Sequence, residues 1–450
     1  MDVNIKRKAF KESVFKAYDV RGLYPEELDH NTLELIADGY AEYLRKIDKK
    51  TCVLGRDTRW SSEEISAILE AGLLKGGIDV IDIGEATTPL HLFSYMKFNG
   101  GGGIMVTASH NPIRYNGLKI NNGLGETKEI IKKGIEKYSG PSGRIDRKNF
   151  INEYITFLLE NVSLKKEIRA VFDTGGGAVN LVLPKVLKEI KNIKGDIIFP
   201  EIDPSLSKRE PNPLLPSSQE KIKEEIIKNK ADAGFLFDPD GDRVVVFDEE
   251  ANAINGDAIL WLLAHNLARA GDSIVYDAIR SSRFLAQDLG QLGVKCFKSR
   301  VGHTFIKEEM RLEKAVLGGE ISGHYYFRDF FFSESSILAM LKILEIISSS
   351  NQKLSSIVGP YFKYFNSGEI NLITEDKGSI IAALEEKYKN ADRDYFDGVM
   401  FRFKDWWFSI RPSNTEDYLR FVLEADNKDL FNAKKDEVLG FILSKGARLA

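Results

Sequence analysis

Cysteine is scarce in this chain, with only Cys52 and Cys296 among 450 residues. Both lie in apolar, strand-like segments, which favours buried, reduced thiols over disulfides and fits a reducing, cytoplasmic compartment. An excess of positive charge is also missing, since the formal net charge is −4, so nothing points to nucleic acid or an anionic membrane surface as a partner. No apolar run is long enough to span a bilayer, and we expect residues 1–8 not to form a secretory signal because they lack an apolar core.

The length of the chain exceeds what one hydrophobic core can organise. At 450 residues, about three or four domains are expected. Apolar residues make up 43% of the chain and charged residues 29%, as in an ordinary globular protein. With the overall charge slightly negative, an anionic small substrate would have to be bound by local clusters of positive charge.

One pattern of strands and helices occurs three times. In each copy a short apolar strand runs into an acidic or polar loop and a helix, a second strand follows, and a third strand ends in an unusual polar loop. The third strands are predicted at 103–106, 233–237 and 315–317. Alternating strands and helices argue for α/β layers. The repeat therefore places the three polar loops at equivalent positions of three similar mixed α/β domains, which we expect to surround a central cleft.

The pattern changes near residue 365. From there, four segments alternate apolar and polar residues as antiparallel strands do, and a helix is predicted at about 428–445. This predicts a C-terminal α+β domain. The predicted fold is therefore α/β with four domains, at residues 1–150, 151–252, 253–364 and 365–450.

A serine follows the third strand of the first copy. Residues 101–106 have the pattern of a glycine-entered, buried strand, so the polar segment 107–112 (Thr-Ala-Ser-His-Asn-Pro) forms a tight loop at its carboxyl end. In open α/β sheets this edge is where ligands bind. Ser109 is therefore a candidate nucleophile or phosphate carrier, with His110 as a candidate partner, and the alternative is an ordinary turn.

Three aspartates follow the third strand of the second copy. Asp238, Asp240 and Asp242 alternate on a glycine-containing turn and repel one another unless a cation lies among them. Oxygen ligands alone suit a hard ion such as Mg²⁺. A calcium EF-hand loop fails as an alternative, because Arg243 occupies the position of its glycine and a strand follows at 244–247. The turn predicts a divalent-metal site rather than a solvated acidic turn, and Arg243 beside it suggests a phosphate or proton-transfer role.

A set of phosphate-type donors lies between the last two predicted strands. Arg411, Ser413, Asn414 and Thr415 supply a guanidinium, two hydroxyls and an amide, together with exposed backbone N–H groups. Arginine binds phosphate bidentately, and successive N–H groups form anion-binding concavities. The segment predicts a phosphate-binding loop, with a polar hairpin as the alternative.

The loop of the third copy carries Glu320, Ser322 and His324. We predict an extended, glycine-flanked segment that points these three side chains to one side, where a carboxylate and a hydroxyl suit adjacent sugar hydroxyls. Glycine also flanks His303 of the same domain, and this makes His303 a further candidate site residue. Further candidates, which would add a hydroxyl and positive charge near the serine, are Tyr18, Arg21 and Lys119.

Together the loops predict phosphoryl transfer on a phosphosugar, with a hard metal ion and arginine neutralising the charge of the transferring group. With these motifs in this order, the chain resembles the α-D-phosphohexomutase superfamily from residue 17 to residue 416. It is most similar to the bacterial phosphomannomutases and phosphomannomutase/phosphoglucomutases of that superfamily. The sugar loop supports this, because phosphoglucosamine mutases typically have glutamine where this chain has Ile321.

The resemblance implies a role for each loop. Ser109 would carry the phosphoryl group as phosphoserine, and its phosphate would join Asp238, Asp240 and Asp242 in binding Mg²⁺. The reaction would pass through a sugar 1,6-bisphosphate, which also serves as activator. The implied proton-transfer and phosphate-region residues are Arg243 and Lys119, and His110 is a catalytic candidate because it follows Ser109, although it need not be the base. The resemblance implies that Glu320 and Ser322 bind the sugar's 3- and 4-hydroxyls, and that the phosphate which is not transferred is bound by Arg411, Ser413, Asn414 and Thr415. The substrate-binding candidates that rest on the residues themselves are Tyr18, Arg21, His303 and His324.

The chain departs from the family pattern at one position. The family usually has a basic residue two positions after the strand-end aspartate of its third domain, where this chain has Ile279, and Arg280 comes one position later. The implied activity interconverts mannose 6-phosphate and mannose 1-phosphate, with glucose phosphates as further substrates. The alternatives are a phosphoglucomutase or phosphoglucosamine mutase, a phosphoserine-forming sugar phosphatase and a non-catalytic sugar-phosphate binder. Both a monomer and a homodimer fit the sequence.

Overall fold

Four β-sheets organise the chain in the computed structural model, which describes residues 11–98, 101–160, 162–413 and 418–450. The elements of the first copy of the repeat are β1 (Val20–Leu23), α1 (His30–Lys46), β2 (Thr51–Arg56), α2 (Ser62–Lys75), β3 (Asp79–Glu85), α3 (Thr88–Lys97), β4 (Gly102–Val106), β5 (Tyr115–Ile120), α4 (Leu124–Lys133) and β6 (Ile145–Arg147). The strands lie in the order β1-β5-β4-β2-β3-β6. α1 begins at a cap, where the Asp29 carboxylate accepts from the Thr32 amide at 2.8 Å, and its apolar face joins the buried core of this sheet.

The second copy builds a sheet in the same manner. Its elements are α5 (Ile151–Leu159), β7 (Ile168–Asp173), α6 (Leu183–Glu189), β8 (Ile193–Ile198), α7 (Pro216–Asn229), β9 (Ala233–Phe237), β10 (Val244–Phe247) and β11 (Ala253–Ile254). Strands β10, β9, β7 and β8 are neighbours in that order. β9 and β10 are buried along their whole length, as their continuous apolar sequences predict.

The third copy follows the same plan. Its elements are α8 (Gly256–Leu267), β12 (Ser273–Asp277), α9 (Arg283–Gln291), β13 (Lys295–Ser299), α10 (His303–Leu312), β14 (Leu317–Gly319), β15 (Tyr325–Phe327), β16 (Ser333–Glu334) and α11 (Ser336–Ser349). Strands β13, β12, β14 and β15 are neighbours in that order.

The C-terminal part is an antiparallel sheet with helices. Its elements are α12 (Leu354–Val358), β17 (Phe365–Asn366), β18 (Ile370–Ile373), α13 (Lys377–Lys387), β19 (Asp392–Asp394), β20 (Val399–Arg402), β21 (Trp406–Pro412), β22 (Leu419–Ala425), α14 (Lys428–Ser444) and β23 (Arg448–Leu449). The strand order is β19-β20-β21-β22-β18-β23, with β17 beside β22. Phe401 and Phe408 stack across β20 and β21 with ring centroids 4.4 Å apart, inside the core of this sheet.

The predicted fold class is confirmed: three similar mixed α/β sheets precede an α+β part. In each copy the first strand (β2, β7, β12) pairs in parallel with the second and the third. The third strand (β4, β9, β14) is followed by an antiparallel return strand (β5, β10, β15). The three polar loops therefore all lie at the carboxyl end of a third strand, inside a hairpin.

The prediction for the third strand of the third copy was wrong by two residues. We expected 315–317, whereas β14 spans Leu317–Gly319. The two glycines belong to the strand because helices approach it closely. A Cβ on Gly318 would lie 2.6 Å from the Met310 sulfur of α10, and one on Gly319 would lie 2.8 Å from a Leu260 methyl of α8. Glycine here serves close packing rather than a turn.

The chain divides into two compact units. The first comprises the chain up to Ala253 together with Ser333–Asn351, and the second comprises Ile254–Phe332 and the chain from Gln352 onward. α11 joins the first unit because it packs against β7 and β10. The four predicted domain boundaries remain predictions. Within the described residues, no helix combines the length and the hydropathy needed to cross a membrane. Cys52 is buried as expected, whereas Cys296 is only partly buried, and both thiols are free.

Candidate active site

Ser109 lies in the hairpin loop between β4 and β5 with a left-handed backbone conformation (φ 49°). Its side chain is almost fully buried, at 2% exposure. The hydroxyl donates to Asp238 Oδ2 at 2.8 Å, and His110 Nδ1 lies 3.2 Å from Ser109 Oγ. A serine of one sheet is therefore joined directly to the aspartate turn of another sheet in the same unit.

The aspartate turn is compact and buried. Asp238, Asp240 and Asp242 each offer a carboxylate oxygen, and these oxygens all lie within 4.8 Å of one another. Gly241 closes the turn with φ 71°, and its amide donates to the Asp238 carbonyl at 3.1 Å. Burial raises the pKa of Asp238 well above its usual range, and the neighbouring carboxylates of Asp242 and Asp240 add to that rise. Such a cluster is stabilised by a cation.

The residues of the turn fit a metal ion. Asp240 Oδ1 is buried and accepts no hydrogen bond from any described residue, although a buried carboxylate oxygen normally has a partner. All donors are hard oxygens, the set that Mg²⁺ or Ca²⁺ prefers over softer metals. The triad could therefore hold a divalent cation, and the Ser109 hydroxyl lies at its border.

Two basic side chains flank the triad. Lys119, on β5, donates to Asp240 Oδ2 at 2.8 Å and also pairs with Asp242. Burial works against its charge, but the attraction of Asp240 and Asp242 prevails and raises the pKa of the lysine. The Nε atom of Arg243 lies 3.8 Å from Asp238 Oδ2 and 3.9 Å from Asp242 Oδ1. Both predicted basic residues are thus placed beside the aspartates.

Two further residues that support the aspartate turn were missed by sequence reasoning. Thr88, at the start of α3, donates its hydroxyl to Asp240 Oδ2 at 2.6 Å and its amide to the Asp240 carbonyl at 2.8 Å. Arg209 donates to Asp173 Oδ1 at 2.8 Å and also to the Phe237 carbonyl that precedes the turn. Neither residue stands in a motif, and only the three-dimensional contact identifies it.

Arg21 contacts the serine loop. It lies on β1, donates to Asn111 Oδ1 at 2.8 Å and pairs with Asp19. Tyr18 is partly exposed just before this strand. The first unit thus brings Ser109, His110, Arg21, Lys119, Arg243 and the aspartates together; their individual roles remain predictions.

The sugar-type loop of the second unit differs from its predicted form. Glu320, Ser322 and His324 lie in a tight hairpin turn between β14 and β15, where the Glu320 amide donates to the His324 carbonyl at 3.0 Å. The prediction of an extended segment was wrong, because the strand already includes both glycines and the return strand follows at once. The three side chains nevertheless meet. His324 Nδ1 lies 3.1 Å from the Ser322 hydroxyl and 3.4 Å from Glu320 Oε1.

Glu320 is surrounded by groups that favour its charge. Burial alone would raise its pKa, but the hydrogen bond and charge of His324, together with the Arg280 guanidinium, hold the pKa well below its usual range. The Tyr326 hydroxyl donates to the same carboxylate. The carboxylate is therefore ionised and able to accept hydrogen bonds from hydroxyl groups.

Arg280 is a buried link among carboxylates, at 5% exposure. It pairs with Asp277 at the end of β12 and lies 3.7 Å from Glu320 Oε2 and 3.5 Å from Glu369 Oε2. Ile279, at the position where the family usually has a basic residue, is buried, and its carbonyl accepts from the Ser409 hydroxyl at 2.7 Å. Arg280 therefore points into the second unit and contacts the sugar-type loop.

The remaining predicted substrate residues of the second unit are His303, Arg411 and Ser413. His303 is the first residue of α10 and is partly exposed. Arg411 is buried on β21, and both burial and the like charge of Arg280 lower its pKa; its Nε has no hydrogen-bond partner among the described residues. The Ser413 amide donates to the Tyr418 carbonyl at 2.8 Å. Asn414 and Thr415 lie outside the described residues.

Comparison with known proteins finds matches to four domain families. They are described as phosphoglucomutase/phosphomannomutase alpha/beta/alpha domains I, II and III and the C-terminal domain, at residues 12–139, 152–252, 255–364 and 369–440. A phosphomannomutase of Salmonella typhimurium is 34% identical over 92% of this chain and 95% of its own length. The chain belongs to the phosphoglucomutase/phosphomannomutase family. It is therefore a phosphohexomutase, an intramolecular phosphotransferase.

Other members of the phosphoglucomutase/phosphomannomutase family agree in extent and fold. A phosphomannomutase of Methanocaldococcus jannaschii is 33% identical over 97% of this chain and 99% of its own length. A crystal structure of a phosphoglucomutase/phosphomannomutase family protein from Burkholderia thailandensis matches with a TM-score of 0.87 at 25% identity, covering 98% of this chain and 100% of that one. The family architecture therefore extends over nearly the whole chain.

Proposed function

We propose that this phosphohexomutase interconverts mannose 6-phosphate and mannose 1-phosphate, with Ser109 as the phosphoryl carrier. The observation that carries the proposal is the 2.8 Å hydrogen bond from the Ser109 hydroxyl to Asp238, one of three buried, converging carboxylates. A hydroxyl at the border of a cation site is where a transferring phosphoryl group needs charge neutralisation. The names of the curated relatives support mannose phosphates as substrates.

The phosphoryl group is transferred in two steps. In the first, the free hydroxyl of the sugar phosphate attacks the phosphorus on Ser109, the bond from phosphorus to Ser109 Oγ breaks, and a sugar 1,6-bisphosphate forms. In the second, Ser109 Oγ attacks the other phosphorus of the bisphosphate, the bond from that phosphorus to the sugar oxygen breaks, and the sugar oxygen takes up the proton that the serine hydroxyl gives up. His110, 3.2 Å from Ser109 Oγ, is the candidate to hold the serine proton, and Lys119 and Arg243 supply positive charge to the phosphate region.

Asp238, Asp240 and Asp242, together with the phosphate on Ser109, would hold a Mg²⁺ ion. When bound, the ion neutralises charge on the transferring phosphoryl group. Arg411 and Ser413 hold the phosphate that is not transferred, since a buried guanidinium with an unpartnered Nε suits an anion. The Glu320 carboxylate accepts hydrogen bonds from sugar hydroxyls, and the Ser322 hydroxyl donates one to them. His324 contacts both side chains and orients them.

A product assay tests the proposal. With mannose 1-phosphate, a sugar 1,6-bisphosphate and Mg²⁺, we expect mannose 6-phosphate without release of inorganic phosphate. Stoichiometric phosphate release without the isomer would instead identify a phosphoserine-forming phosphatase. Parallel turnover of glucose 1-phosphate and glucosamine 1-phosphate decides the main sugar, and a higher kcat/KM for either would contradict mannose as the preferred substrate.

Replacing the carrier gives the second test. Ser109→Ala should abolish turnover, because the variant lacks the hydroxyl that lies beside Asp238 and would take up the phosphoryl group. Ser94→Ala is the matched control, since this buried serine of α3 donates to the Leu90 carbonyl at 2.9 Å, away from the aspartate triad, and should retain wild-type turnover. Wild-type activity in Ser109→Ala would refute Ser109 as the carrier.

A further inference from the structure

Arg59 lies in the loop after β2 and is bound to the Ser109 loop by its guanidinium. The side chain is fully buried, with 0% exposure, and it donates to four backbone carbonyls of one short segment. The acceptors are Ser109 (2.6 Å), Asn111 (2.7 Å), Pro112 (3.1 Å) and Tyr115 (3.2 Å). A guanidinium with no exposure does not bind substrate, so any contribution to the reaction must act through the loop that it holds.

The backbone of the Ser109 loop needs such support. Ser109 has φ 49°, a left-handed conformation that residues with a Cβ adopt at a cost. Its amide donates to the Thr107 hydroxyl at 2.8 Å, which favours the turn from one side. The carbonyl of the same residue accepts the shortest of the Arg59 hydrogen bonds. The strained conformation directs the Ser109 hydroxyl toward Asp238.

The guanidinium is itself held in place by Asp57. Arg59 Nε lies 3.3 Å from Asp57 Oδ2, and the Arg59 amide donates to Asp57 Oδ1 at 3.1 Å. The Ser62 hydroxyl donates to the same carboxylate from the first turn of α2. The planar fork of arginine donates in fixed directions to several acceptors at once, which the single ammonium of lysine does not do. The geometry of the serine loop is thus built on β2 and α2.

We propose that Arg59 is a positioning residue for phosphoryl transfer: it fixes the backbone of Ser109 so that the hydroxyl meets the aspartate triad. The inference rests on the proposed role of Ser109 as carrier. It assigns Arg59 an effect on kcat rather than on substrate affinity, because the Arg59 guanidinium is buried and bonded to backbone carbonyls of the serine loop and to Asp57. A purely structural role would lower the melting temperature and leave the chemistry of the folded enzyme unchanged.

Arg59→Lys tests the proposal, because it keeps the charge opposite Asp57 but loses most of the carbonyl contacts. In the folded variant, kcat for mannose 1-phosphate should fall by about tenfold to a hundredfold, with KM within about twofold of wild type. The rate at which a hexose 1,6-bisphosphate phosphorylates Ser109, followed by intact-protein mass spectrometry, should fall in parallel. Arg45→Lys is the matched control, since Arg45, in the last turn of α1, also donates to a backbone carbonyl, that of Gly76 after α2, and should keep wild-type kcat.

A second variant keeps the proposal testable if Arg59→Lys does not fold. Asp57→Asn keeps the shape of the residue that orients Arg59 but removes its charge, and should lower kcat in the same direction with KM preserved. A wild-type kcat together with a wild-type phosphorylation rate in either folded variant would overturn the inference. If Arg59→Lys fails to fold, the measurements on Asp57→Asn test the inference instead. Ser109→Ala separates the two claims. If it retains turnover, the proposed carrier is wrong; if it is inactive while Arg59→Lys is normal, only the role of Arg59 is wrong.

Discussion

Thr88 binds one of the two carboxylate oxygens of Asp240. It holds Oδ2 of Asp240 by a 2.6 Å hydrogen bond, while Oδ1 of the same residue accepts no hydrogen bond from the described residues. A hydroxyl bonded to one carboxylate oxygen restricts the rotation of that carboxylate, and the other oxygen of Asp240 keeps its capacity to bind a cation. In metal sites such outer partners orient the ligands and tune the affinity. Thr88 thus has the geometry of an outer partner to a metal ligand.

Thr88→Val should weaken divalent-metal binding by about tenfold to a hundredfold, because the variant keeps the shape and the backbone hydrogen bond but loses the hydroxyl. Calorimetric titration with Mg²⁺ or Mn²⁺ measures the effect. Thr156→Val is the matched control, since the hydroxyl of this helical threonine donates to the Asn152 carbonyl on an exposed surface. Equal metal affinity in Thr88→Val and wild type would contradict the orienting role.

At the scale of elements, the turn after β12 depends on one buried ion pair. Asp277 pairs with Arg280, and its Oδ2 also accepts from the Ile321 amide of the β14–β15 hairpin at 3.3 Å. Burial raises the pKa of Asp277 to about 6, although the Arg280 charge opposes that rise. Removing one partner from a buried pair leaves the other charge without compensation.

Arg280→Met should therefore destabilise the protein by about 3–5 kcal/mol in urea unfolding. The double variant Asp277→Asn/Arg280→Met should recover part of this loss, since Asp277 then carries no charge, whereas Glu320 still lacks the nearby Arg280 charge. Lys221→Met provides the contrast, because Lys221 forms an exposed pair with Glu225 (3.1 Å) and should cost less than about 1 kcal/mol. A loss of that small size in Arg280→Met would show that the buried pair contributes little.

The elements themselves were largely predictable, and their long-range partners were not. Strand β9 matches its predicted bounds, 233–237, because a continuous apolar run between polar turns is a local signal. The hairpin at Glu320 was mistaken for an extended segment because closely packed helices, not the local sequence, decide that the glycines belong to the strand. Thr88 and Asp240 are 152 positions apart, and no spacing rule connects them. The sequence showed Arg59 only as one residue of a polar loop, and its contact with the Ser109 loop, 50 positions away, could not be predicted from it.

At the scale of the whole molecule, stability against acid depends on buried groups that must stay neutral. His91 lies within α3, is buried, and its Nε2 lies 3.1 Å from the Val53 carbonyl. Burial lowers its pKa from 6.5 to about 4, with the nearby Lys119 charge acting in the same direction. In the unfolded chain His91 takes up a proton near pH 6.5, whereas in the folded protein it does so only near pH 4. Folding stability is therefore lost as the pH falls through this window.

The loss amounts to about 3 kcal/mol between pH 6.5 and pH 4, since one unit of pKa corresponds to about 1.4 kcal/mol. Urea unfolding of wild type and His91→Gln from pH 7 to pH 4 measures it: the stability of wild type relative to the variant should decrease across the window. His30→Gln, at an exposed histidine, is the control for the substitution itself. A constant difference between wild type and His91→Gln would contradict the prediction.

Each of the three polar loops, at 107–114, 238–243 and 320–324, is enclosed by two strands that are neighbours in sequence. Closing so short a loop costs little chain entropy, and contacts of low sequence separation form early in folding. A nascent chain can therefore shape each loop from its own segment, before distant parts of the chain are available. The late steps of folding need only join loops that already have their form.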